Sequence, residues 1–158
     1  MAWRNPTPTV DVVVVRDGPQ PAVLVIRRKN PPHGWALPGG FVDEGERVET
    51  AAVREVREEA SLDVALTHLF HVYSDPARDP RKHTMSVVFE GTVPADARAR
   101  AADDAAEVQW LPVDELERTL DKLPFAFDHA EILSDWLRFR ATGERPALKV
   151  SVAQARER

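Results

Sequence analysis

Glu55, Glu58 and Glu59 stand at offsets of three and four residues, shortly after a Gly39-Gly40 turn, in the stretch GFVDEGERVETAAVREVREEASL from Gly40 to Leu62. On a helix these carboxylates project from one face. Like charges at that spacing repel, so a solvated surface gains little from them. A cation offsets the repulsion, and ligands made only of oxygen suit Mg²⁺ or Mn²⁺. The short EVREE segment, taken alone, reads equally as an ordinary charged helix face.

The longer spacing decides between these. Gly40 is followed after five residues by Glu46, and after seven more by Arg54-Glu55-Val56-Arg57-Glu58-Glu59, with Ser61 and Leu62 closing the run. This resembles the signature of the Nudix hydrolases, and every charged position of that signature is filled. Ser61 departs from it, standing where the family usually carries glycine. The resemblance implies that Glu55, Glu58 and Glu59 are metal ligands, joined by the backbone carbonyl of Gly39, with Gly40 beside the substrate. It also implies that Arg54 orients the glutamates and that Glu46 braces the loop–helix junction; simple fold stability explains those two equally well. Ser61 is expected to end the helix in a left-handed conformation, at a cost of up to about 1 kcal/mol relative to glycine.

Hydrolysis also needs a group that takes a proton from water. In the family such a base, or a further metal ligand, often comes from a loop outside the signature. Here Asp103, Asp104 and Glu107, just ahead of Trp110, are the acidic candidates. Two basic clusters flank the acidic helix: Arg27-Arg28-Lys29, and Arg78, Arg81, Lys82 and His83 in a loop stiffened by Pro76 and Pro80. Guanidinium forks match phosphate oxygens, which makes Arg28 and Arg81 substrate candidates, with His83 beside them.

The stretches RRKNPPHGWALPGGFVDEGE at 27–46, VYSDPARDPRKHTMSVVF at 72–89 and AFDHAEIL at 126–133 are similar to the small ADP-ribose pyrophosphatases among the Nudix enzymes. That likeness implies conversion of ADP-ribose and water to AMP and ribose 5-phosphate. His71 and Lys82 stand where many relatives carry glycine, so Lys82 adds bulk and charge to the candidate substrate loop. Two other functions are open to the same motif: pyrophosphohydrolysis of (deoxy)nucleoside triphosphates, and ADP-ribose sensing without turnover. Trp35, Phe70, Tyr73 and Phe125 are aromatic candidates for base stacking, each explained as readily by core packing.

The elements that must position these groups follow from local patterning. Thr9–Val15 and Ala22–Arg28 read as strands that would form a hairpin around Asp17-Gly18-Pro19. A short strand is expected at Ala36–Pro38 and a helix at Val48–Ala60, whose Ala52, Val53, Val56 and Ala60 form an apolar stripe. Strands are expected at Leu62–Ser74, Thr84–Val93 and Glu107–Leu111, then a short helix from Pro112. Asp128 with Glu131 resembles a capping box opening a last helix to about Arg140. This gives the α/β class, and the family resemblance sharpens it to an α/β/α sandwich with a mixed β-sheet. One domain at 1–141 is expected, with a tail at 142–158 that is either flexible or adds an edge strand at Leu148–Val152.

Composition bounds the rest. The 158 residues are 43% hydrophobic and 30% charged, which suits a globular domain with a core. The absence of cysteine excludes disulfides, thiolate catalysis and Cys-based zinc sites. A net charge of −5 argues against nucleic-acid binding as the main role. No apolar run approaches membrane-spanning length and the N-terminus lacks a signal-peptide core, so a cytoplasmic enzyme acting on a nucleotide-type small molecule is expected. The resemblance leaves a homodimer open.

Overall fold

The structure is a computed structural model that describes residues 4–150. Its elements are β1 (Thr7–Arg16), β2 (Ala22–Arg28), β3 (Trp35–Ala36), β4 (Gly39–Phe41), α1 (Val48–Ala60), β5 (Ala65–Tyr73), β6 (Thr84–Val93), β7 (Ala105–Pro112), α2 (Val113–Leu120) and α3 (His129–Thr142). They form a seven-stranded mixed sheet in the order β3-β2-β1-β6-β5, with β4 added to β1 and β7 to β2.

The valine run of β1 builds both faces of this sheet. Val13 and Val15 join Val23 and Val25 against Leu116 of α2 and Ile132, Leu133 and Trp136 of α3. Val10, Val12 and Val14 point the other way, onto Ala51, Ala52, Val56 and Ala60 of α1. A strand buried on both faces reads as a nearly continuous apolar run, because neither side meets water. The result is the expected α/β/α sandwich, with α1 on one face and α2 and α3 on the other.

The expected β1–β2 hairpin exists only at its base, where Val15 pairs with Val23 and Arg16 with Ala22. Beyond that the strands diverge. β1 runs parallel to β6 along its whole length, and β2 pairs with β7. Divergence opens the sheet for β4, a strand that patterning did not mark, whose Gly39, Gly40 and Phe41 pair with Asp11, Val10 and Thr9. The short strand expected to end at Pro38 ends at Ala36. Proline has no N–H for a ladder, and the Pro38 carbonyl instead accepts from Val12 N–H at 2.9 Å.

One further expectation changes. Asp128 precedes α3 but makes no side-chain cap, because both its oxygens accept from Arg78, at 2.7 and 2.9 Å. Residues 148–150 form no strand, and 151 and 152 lie outside the described residues. Arg145 instead reaches β5 with its side chain, donating to the carbonyls of Leu69 and Phe70.

Helix α1 ends as expected: Ser61 has φ 57° and ψ 36°, and its N–H donates to the Arg57 carbonyl. Its hydroxyl makes only a long contact, 3.4 Å, to the Arg100 carbonyl. Ser61→Gly should therefore stabilise the protein by up to about 1 kcal/mol, read as a raised denaturation midpoint. An unchanged or lowered midpoint would mean that the serine carries no left-handed penalty here.

Candidate active site

Because Gly39-Gly40 forms a strand against β1, the start of β4 is drawn across the C-terminal half of α1. A Cβ on Gly39 would lie 2.1 Å from the Val10 carbonyl oxygen and 2.5 Å from Asp11 Oδ1. A Cβ on Gly40 would lie 2.3 Å from Glu55 Oε1. Only glycine lets the backbone approach the helix carboxylates this closely.

A cleft of about 300 Å³ opens at this junction. Among the residues expected from sequence, Gly39, Gly40, Arg54, Glu55, Glu59, Arg28, Arg81 and Asp104 line it. Glu46 and Glu58 do not line the cleft but are tied to it through Arg54. That guanidinium donates to both Glu46 oxygens at 2.9 Å, to Glu55 at 2.8 Å, to Glu58 at 3.1 Å and to the Phe41 carbonyl at 3.0 Å. Glu107 lies outside, exposed and 3.3 Å from Arg27. His83 is exposed, with Nε2 3.1 Å from the Ser74 carbonyl. Asp103 contributes its carbonyl to Lys29, whereas the Asp104 carboxylate accepts from Asn30 at 3.0 Å.

The carboxylates differ in their electrostatics. Paired with Arg54, Glu46 is held below its ordinary range. Burial raises Glu55 despite the bond from Arg54. Glu59 is 4% exposed and accepts from Gly39 N–H at 3.0 Å. Burial pushes it up to about 8, and that bond does not offset the loss of water. A buried carboxylate in this condition is poised for a positive charge beside it.

Several cleft residues carried no functional expectation. Asp11, a lone carboxylate inside the valine run, is buried and accepts from Ser86 Oγ. Burial works to raise it, but His129 and Arg78 prevail and hold it below its ordinary range. His129 is buried in the cleft wall. Its Nδ1 accepts from Leu37 N–H at 2.9 Å, so Nε2 carries the proton that faces Asp11 Oδ1 at 3.4 Å. Arg78 is a buried strut: besides Asp128 it binds Thr84 Oγ1 at 3.0 Å, pinning the loop before β6 to the start of α3. Asp79 grips Arg81 at Nε and Nη2, at 3.0 and 2.8 Å.

Trp35, Phe70 and Tyr73 lie in the core, with Phe125 packed against it. The aromatic rings of the cleft are Phe41 and Phe127. The available sequence signals were a charged residue inside an apolar strand, for Asp11, and the dense alternation of charge in Arg78-Asp79-Pro80-Arg81.

Comparison with known proteins accounts for this arrangement. The NUDIX domain model matches residues 5–136. This chain belongs to the Nudix family. As a Nudix protein it is 40% identical over 140 residues to the ADP-ribose pyrophosphatase of Methanocaldococcus jannaschii, covering 87% of this chain and 77% of that protein. The Nudix domain of Shewanella oneidensis NrtR, solved in complex with ADP ribose, superposes with a TM-score of 0.75 at 25% identity, covering 89% of this chain and 91% of that one. A MutT/nudix family protein from Enterococcus faecalis gives a TM-score of 0.76 at 30% identity over 89% of this chain, which spans 64% of its length. The Nudix fold and the pyrophosphatase relative place the chain among hydrolases of pyrophosphate bonds that act on nucleotide-type small molecules.

The family implies a divalent metal. Among the described residues, no three acidic or histidine side chains converge as a ready cage. The donor chemistry nevertheless fits: Glu55 and Glu59 offer oxygen only, both are raised by burial, and Gly40 leaves open the space beside Glu55. Among the described residues, no helix is long and apolar enough to cross a membrane.

Proposed function

We propose that this protein hydrolyses the diphosphate bond of ADP-ribose, giving AMP and ribose 5-phosphate, with Mg²⁺ or Mn²⁺. One cleft that holds Glu55 and Glu59 together with the Arg28–Arg81 pair carries this reading. Glu55, Glu58 and Glu59, with the Gly39 carbonyl, would hold the ion. When bound, a divalent ion neutralises phosphate oxygens and lowers the pKa of coordinated water.

The remaining work falls to other side chains. Arg28 and Arg81 bind phosphate oxygens and set the substrate in place. Arg54 keeps Glu55 and Glu58 turned toward the junction with β4 and prevents their mutual repulsion from splaying them. Asp104 is the acidic side chain of the β7 approach that lines the cleft, and it accepts the proton of the attacking water. The name of the M. jannaschii relative supports ADP-ribose as the substrate.

Product analysis tests this directly, with ADP-ribose, dGTP and a dinucleoside polyphosphate, each in Mg²⁺, Mn²⁺ or EDTA. The expected result is metal-dependent AMP and ribose 5-phosphate, formed far faster than products from the other substrates. Preferential release of pyrophosphate from dGTP would instead make the protein a triphosphate pyrophosphohydrolase. Saturable ADP-ribose binding without turnover in either metal would make it a sensor.

A further inference from the structure

Phe127 has a backbone that its side chain does not favour. Its φ is 57°, a left-handed conformation that a bulky aromatic residue adopts only when its surroundings impose it. The neighbouring Ala126 supplies part of that constraint, since its N–H donates to the Trp35 carbonyl at 2.8 Å. The ring is thereby held in the cleft wall rather than in the core.

Two arginines use that ring. Arg28 Cζ lies 4.8 Å from its centroid and Arg81 Cζ lies 5.3 Å from it. Among the described residues, no other aromatic ring carries two guanidiniums; Phe41 carries Arg81 and Lys82. Like charges so close repel, and the negative faces of an aromatic ring offset part of that cost. Each arginine is also tethered at one side: Arg28 Nε donates to the Pro32 carbonyl at 2.8 Å, and Arg81 Nε and Nη2 donate to Asp79. Both terminal nitrogens of Arg28, and Nη1 of Arg81, have no acceptor among the described residues.

We propose that Phe127 is a positioning residue, an aromatic spacer that fixes the Arg28 and Arg81 guanidiniums so that their free N–H groups are presented together to the phosphate oxygens of the substrate. This rests on the reading of the two arginines as the anion contacts. The strained backbone then has a purpose, because a relaxed φ would swing the ring away from both partners. Burial, together with the charge of Arg81, lowers Arg28 from its ordinary value, as expected of two cations held near one another.

Steady-state kinetics on ADP-ribose in Mg²⁺, with calorimetric binding of ADP-ribose in EDTA, test the spacer through Phe127→Gly, Phe127→Tyr, Arg28→Met, Arg81→Met and the Phe127→Gly/Arg81→Met pair. Glycine adopts the left-handed φ without strain, so the truncation does not threaten the backbone. Phe127→Gly should raise KM and Kd about ten-fold, the scale of two lost cation–π contacts. Its kcat should stay within about two-fold of wild type, and Phe127→Tyr should match wild type. The paired variant should lose less than the sum of the Phe127→Gly and Arg81→Met losses, because with Arg81 gone the ring acts only through Arg28. An unchanged KM in Phe127→Gly, a fall in kcat at constant KM, or additive losses in the pair would overturn the proposal. If Arg28→Met and Arg81→Met leave KM unchanged, the arginine reading itself fails. If both raise KM while Phe127→Gly does not, the spacer alone fails.

Discussion

Glu59→Gln is expected to remove turnover and, in the same molecule, to stabilise the fold at alkaline pH. The carboxylate is buried and pushed up to about 8 from an ordinary value of 4.5. The folded protein therefore keeps a proton that the unfolded chain releases above pH 4.5. Where the native state binds the extra proton, stability falls as pH rises. The stability associated with protonated Glu59 is fully present below pH 4.5 and is lost progressively up to about pH 8. Across that window the loss is on the order of 5 kcal/mol.

Glutamine keeps the shape and still accepts from Gly39 N–H, but has no proton to lose. The expected result is a wild-type denaturation midpoint that declines between pH 5 and 8 in EDTA, and a Glu59→Gln midpoint that stays nearly level. Mg²⁺ should raise the wild-type midpoint at pH 8 and raise that of the variant less. Turnover of ADP-ribose should fall by about a thousand-fold, the equivalent of several kcal/mol of lost charge stabilisation. A variant that follows the wild-type pH curve would show that Glu59 is ionised in the fold well below pH 8, and one that keeps full activity would remove it from the metal site.

Arg54→Lys carries the second large effect. The guanidinium spans Glu46, Glu55, Glu58 and the Phe41 carbonyl, with Glu46 and Glu55 only 12% and 13% exposed. An ammonium retains the charge but cannot make the fork that grips both Glu46 oxygens. Since Arg54 itself is 26% exposed, the stability loss should lie between surface and buried pairs, at about 2 kcal/mol. Activity should drop about 10- to 100-fold, as when a partner that orients a ligand is removed. Denaturant melts and kcat/KM measured on the same preparation separate the two effects. Full activity with a lowered midpoint would confine Arg54 to a bracing role.

Much of this architecture is legible from local patterning. Val48–Ala60 is a helix because its apolar stripe recurs at helical spacing, and β6 begins and ends where Thr84–Val93 reads as a strand. The spacing from Gly40 to Glu59 marks the acidic helix, since residues on one rigid element keep their geometry wherever that element packs. Strand β4 escapes such reading because two glycines and a phenylalanine have no period; it exists only because β1 and β2 part and leave an edge for it.

The division follows from the range of the interactions. Sequence alone determines the Nudix spacing, the α1 carboxylates, the left-handed stop at Ser61 and the absence of any thiol chemistry, all of which depend on near neighbours. Tertiary structure decides which distant residues share the cleft. Asp11, Arg78 and the neighbouring Phe127 and His129 come from three separate segments, and nothing in their local context marks them as partners. It also decides that Asp104 faces the cleft while Glu107 pairs with Arg27 outside it. The same holds for charge: Glu58 and Glu59 are adjacent in the chain, yet one is 43% exposed at its side chain and the other is buried under β4. A carboxylate's burial depends on what packs over it, and what packs over it arrives from elsewhere in the chain.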